Sequence, residues 1–152
     1  MSLCASAVTY FPDGAPYTYN VVGGPYTVFN DSLQVLCVGW LDVRHPFPTG
    51  AVDEDFLVAL RYLCVNHQAV VTRGFHECNL GDCAARPSWP LIRLRFDDRE
   101  APLGIAEIRV EQEESVEIAA PTLIYHYVTD HQYRPPDYFI DAVLRQARKI
   151  SS

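Results

Sequence analysis

The sequence predicts an α+β domain with a mainly antiparallel sheet, about three helices and a metal knuckle. Three observations carry that reading. Two segments place apolar residues on one helical stripe, Phe56-Leu60-Leu63-Cys64-His67 and Ile140-Val143-Leu144-Ala147. Two late segments alternate with the period of a half-buried strand, Leu91 to Phe96 and Ile105 to Val110. Between the first stripe and these strands lie a histidine and two cysteines within eight positions, in the stretch RGFHECNLGDC from Arg73 to Cys83. Strands and helices that follow one another without a βαβ rhythm point to α+β rather than a parallel sheet.

Taken in order, residues 1–30 are turn-rich and aromatic (Tyr10-Phe11-Pro12-Asp13-Gly14, then Tyr17, Tyr19 and Tyr26), and we expect them folded over the domain surface. Leu33 to Val43 is a nearly continuous apolar run that reads as a buried central strand, with Val35, Cys37 and Leu41 inward. His45-Pro46-Phe47-Pro48-Thr49-Gly50 must be a loop, because two prolines in three residues exclude helix and ladder alike. Asp53-Glu54-Asp55 opens a helix, its charges complementing the positive end of the helix dipole. Ala69 to Thr72 reads as a short strand feeding the knuckle, and Asp97 to Gly104 as a loop between the two alternating strands. Glu111 to Glu114 reads as an acidic turn and Val116 to Ala119 as a further strand. Pro121 suits the first turn of a helix running to about His131; Arg134-Pro135-Pro136 breaks it, and Asp137 caps the last helix. One domain spanning 1–152 is the expectation, since 152 residues with 49% apolar content support one core without covalent help.

Thiolate and neutral imidazole are the ligands zinc prefers, and a structural site closes a tetrahedron with four of them. Cys64, His76, Cys78 and Cys83 are the candidate set, with His67 as a substitute ligand, and a structural Zn is the expected cofactor. A Cys78–Cys83 disulfide and unmetallated thiols are the competing readings. Five cysteines, an odd number, disfavour a secreted disulfide scaffold. Zinc catalysis would need an open coordination position, with Glu77 or Asp82 near a bound water. A nucleobase deaminase is disfavoured, because Glu77 directly follows His76 and no Pro-Cys-x-x-Cys is present. His126 reads as packed or surface-facing, and Glu107 with Arg109 as a solvated or cross-strand pair. Asp42, Arg44 and His45 form a possible binding loop, with Phe47 as its core anchor.

Composition narrows the partners. There are 12 basic against 19 acidic residues, a formal net charge of −7, and a single lysine, which argues against nucleic acid. A protein partner, possibly basic, fits better. No apolar run reaches membrane-span length, the first residues lack a secretory n-region, and the cytoplasm is the expected compartment.

The segments YFPD from Tyr10, VGWLD from Val38, HPFPTG from His45, TRGFHEC from Thr72, AEIRV from Ala106 and AAPTLIYHYV from Ala119 together resemble a family of small bacterial proteins classed as a domain of unknown function. The resemblance covers most of the chain and implies a bacterial source but no activity. Its knuckle is a His followed by Cys-x-x-Cys, whereas here four residues separate Cys78 from Cys83. Two function classes follow: a non-enzymatic, zinc-stapled interaction or immunity-like module, and a small zinc-dependent hydrolase built on His76, Cys78 and Cys83. No catalytic residue is assigned.

Overall fold

The computed structural model describes residues 10–17, 33–71, 77–86 and 91–151. It is an α+β domain, and its element order follows the chain: β1 (Gln34–Cys37), α1 (Glu54–Asn66), β2 (Val70–Val71), a 3-10 helix (Gly81–Ala85), β3 (Arg93–Phe96), β4 (Arg99–Pro102), β5 (Ala106–Glu113), β6 (Val116–Pro121), α2 (Ile124–His131) and α3 (Asp137–Ser151). Four strands form one sheet in the order β1-β6-β5-β2, and β3 and β4 form a separate hairpin. Among the described residues every strand pairing is antiparallel except β1 with β6, where Leu36 lies beside Ile118 and Cys37 beside Ala119.

Alternation along β5 and β6 decides the layers. Ile108, Val110, Ile118 and Ala120 enter the core, where Phe56, Leu60 and Leu63 of α1 and Phe139, Ala142 and Val143 of α3 meet them. Of the stripe read from α1, Phe56, Leu60, Leu63 and Cys64 are buried as its period requires, and His67 is half-buried at the C-cap. In α3 the deepest side chains are Phe139, Ala142 and Val143, and Ile140, Leu144 and Ala147 form its margin.

Four elements differ from the sequence reading, one of them the acidic turn: Glu111 to Glu113 continue β5, and the turn lies at Glu114 and Ser115. The apolar run from Leu33 is not a central strand: only Gln34–Cys37 is extended, at an edge of the four-stranded order. Gly39 follows at φ +85°, and a Cβ there would lie 2.5 Å from Ile124 Cδ1, so another residue would strain the backbone and displace Ile124. Residues 10–17 close the outer side of β1, with Tyr17 N–H donating to Val35 O at 2.9 Å and Cys37 N–H to Ala15 O at 2.8 Å. Of the segment 1–30, residues 1–9 and 18–30 lie outside the described residues. The span from Asp97 to Gly104 is not all loop, because Arg99–Pro102 pairs with β3 across a tight turn at Asp97, φ 55°. Pro121 ends β6, and α2 starts three residues later.

The opposite face of the sheet carries the other correction. Glu107 is 1% exposed rather than solvated. Its carboxylate accepts from Arg109 Nη2 at 3.1 Å and from the Tyr17 hydroxyl, and the Arg109 guanidinium lies over the Tyr17 ring at 4.9 Å. A buried carboxylate is tolerable only with such partners. Trp40 finishes this face, its indole N–H donating to Ala119 O at 3.0 Å.

Candidate metal centre

Leu80 and the α2 helix bring together side chains that are far apart in sequence. Leu80, 4% exposed, anchors the knuckle loop in the core, and Gly81 then takes φ +52°. That left-handed turn starts the 3-10 helix, where Cys83 N–H donates to Leu80 O at 3.0 Å, and it directs Cys83 back toward Cys78. Across from them, α2 buries Ile124, Tyr127 and Val128, which orients the helix and sets His126 inward, 4% exposed. His131 lies five positions on, about 140° further round an ideal helix. It reaches the same point because α2 ends there, with Gln132 left-handed at φ 55° as the C-cap.

Cys78, Cys83, His126 and His131 each offer one ligand atom, and all four atoms lie within 4.8 Å of one another. Cys78 Sγ is 3.3 Å from His131 Nε2, while Cys83 Sγ is 3.5 Å from His126 Nε2 and 3.6 Å from His131 Nε2. Bond lengths of about 2.3 Å to sulfur and 2.0–2.1 Å to nitrogen at the tetrahedral angle imply a sulfur–nitrogen edge of about 3.6 Å. The three contacts between Cys78, Cys83 and the two histidines, at 3.3 to 3.6 Å, lie near that length. The four residues are positioned to bind a metal ion, with a Cys2His2 donor set.

Neighbouring groups prepare the ligands. Nδ1 of His126 lies 3.2 Å from Asp130 Oδ2, one helical turn on, so Nδ1 carries the proton and Nε2 presents its lone pair to the centre. Thr129 Oγ1 donates to Asp130 Oδ1 at 3.1 Å and steadies that carboxylate. Burial lowers the His126 pKa against the opposing pull of Asp130, which favours the neutral, ligating imidazole. Burial, opposed by a hydrogen bond from the Leu80 backbone and reinforced by Cys83, pushes the Cys78 thiol up to about 12. A thiolate there therefore needs a cation beside it.

The candidate residues read from sequence divide. Cys78 and Cys83 are in the cluster, as separate thiols rather than a disulfide. His76 lies outside the described residues. Cys64 is not brought to the cluster: it is fully buried on the core face of α1, its thiol donating to Thr122 O at 3.7 Å, because the stripe that carries it faces the sheet. His67 is the C-cap of α1 and its Nε2 contacts the Tyr62 hydroxyl at 3.2 Å. Among the described residues His126, which the sequence reads as packed or surface-facing, and His131 join Cys78 and Cys83 in the cluster. A signal for them was present. Cys-x4-Cys followed by His-x4-His is close to the ligand spacing of structural zinc sites.

The possible binding loop is built around a buried acid. Asp42, 1% exposed, accepts from the Arg44 backbone N–H and Nε, both at 2.9 Å, from Arg44 Nη2 at 3.2 Å and from Asn79 Nδ2 at 3.2 Å. Hydrogen bonds from Arg44, opposed by burial, hold its carboxyl well below the usual range. His45 stacks on Tyr10 with ring centroids 3.8 Å apart and planes 7° from parallel. Phe47 is only half-buried, edge-on to Tyr133 at 6.0 Å.

Fold and site together define a small α+β domain with a Cys2His2 cluster positioned for a metal. The chain belongs to a family described as a domain of unknown function (DUF7919), whose model matches residues 9–144. Comparison with curated proteins and with solved structures gave no match. Among the described residues no helix is long and apolar enough to cross a membrane.

Proposed function

We propose that this domain is a zinc-stapled, non-enzymatic protein-interaction or immunity-like module of the bacterial cytoplasm, with a basic protein as partner. The observation that supports the staple is the donor count: two sulfurs and two nitrogens lie within 4.8 Å of one another, with three sulfur–nitrogen separations of 3.3 to 3.6 Å. Four protein ligands close a zinc site, whereas hydrolytic zinc keeps one position open for water. The hydrolase reading, with Glu77 or Asp82 near a bound water, needs that open position, and a cluster of four donors counts against it. Zinc is favoured over harder ions by the thiolates and by the tetrahedral arrangement. The net charge of −7 supports a basic partner by complementarity.

Elemental analysis of purified protein should find about one zinc per chain. Cobalt exchanged into the site should give the intense visible bands of tetrahedral thiolate coordination. Fully folded protein that carries no metal and takes up none from zinc chloride would reject the staple.

A further inference from the structure

The metal cluster and the Asp42–His45 loop share one side chain. Asn79 follows Cys78 directly and precedes the buried Leu80. Its amide makes two contacts with the loop: Oδ1 accepts from Val43 N–H at 3.0 Å, and Nδ2 donates to Asp42 Oδ2 at 3.2 Å. Asp42 is buried, while the residues it organises are not: the Val43 side chain is 56% exposed and that of Arg44 71%. The loop tip therefore presents an apolar residue and a cation beside the Tyr10–His45 stack, and a bridge from the knuckle helps hold its backbone.

We propose that Asn79 is a positioning residue that couples metal binding to the conformation of the 42–45 loop. The proposal rests on the zinc reading above. With Cys78 fixed as a ligand, the adjacent Asn79 amide is fixed too, and it keeps the Val43 N–H and the Asp42 carboxylate in register. With Cys78 released, the loop keeps the Asp42–Arg44 contacts and loses an ordered partner for the Val43 amide. Coupling of this kind is reciprocal: the factor by which metal orders the loop is the factor by which the ordered loop tightens metal binding. The exposed tip of the loop is then a surface whose presentation depends on the metal.

Hydrogen exchange read residue by residue on the whole protein tests this, with wild type and Asn79→Ala each measured zinc-loaded and after chelation. The expected result is slow exchange of the Val43 amide in zinc-loaded wild type and acceleration on chelation, while Ile108 and Val110 in β5 stay protected. In zinc-loaded Asn79→Ala, Val43 should exchange fast with zinc still bound. Competition with a chromophoric chelator should then show zinc affinity weakened by roughly five- to 150-fold, the usual span of such couplings. Zinc-loaded Asn79→Ala with Val43 as protected as in wild type, or with unchanged zinc affinity, overturns the coupling and leaves the staple standing. A wild type that binds no zinc at all overturns both.

Discussion

Cys83→Ser should purify without stoichiometric zinc and unfold about 4 kcal/mol more easily than wild type. That is the stabilisation expected when free ligand stands roughly a thousandfold above its dissociation constant. The domain has its own apolar core, so the variant should still fold, unlike a zinc finger that depends on metal outright. Chelated wild type should lose a similar amount, and chelator should do nothing further to Cys83→Ser. Cys64→Ser is the informative control. Its thiol faces Thr122 O in the core rather than the cluster, so that variant should keep one zinc per chain whatever its stability. Loss of zinc from Cys64→Ser together with retention by Cys83→Ser would reverse the ligand assignment.

Phe56→Ala should cost a comparable amount by an unrelated route, roughly 3–5 kcal/mol, the usual cost of deleting a buried aromatic ring. Phe56 is fully buried and meets Phe139 edge-on at 6.2 Å, where α1 packs on α3. Urea denaturation followed by far-ultraviolet circular dichroism should show a lower midpoint with an unchanged slope, and metal content should not move. A loss under about 1 kcal/mol would contradict the packing of α1 against α3.

Where local chemistry decides the structure, the residues announced it. Acidic residues at Asp53, Glu54 and Asp55 mark the start of α1, and its stripe is buried as the 3.6-residue period requires. Strict alternation in β3 and β5, and the prolines before α3, were equally legible. What escaped depended on distant contacts. The run from Leu33 to Val43 is mostly apolar, but the strand stops at Cys37, and Gly39 at φ +85° then packs closely on Ile124 of α2. Apolarity alone does not distinguish a central strand from an edge strand covered by another segment.

The metal centre was half legible for the same reason. Cys78 and Cys83 share one loop, so a short window found them. His126 and His131 are not on one face of a regular helix, and only the helix end at His131 lets both converge. Cys64 qualifies by closeness in sequence and by its place at the end of a helix, yet its stripe points into the core. The Asp42–Arg44 pair was visible as a short-range polar cluster, whereas its bridge to Asn79 spans 37 positions and has no local signature.

X-ray absorption at the zinc edge of the purified protein tests the central claim most directly. The structure predicts a four-coordinate first shell with two sulfurs at about 2.3 Å and two imidazole nitrogens at 2.0–2.1 Å. A shell of three protein ligands with a water oxygen, or one with three sulfurs, would contradict it.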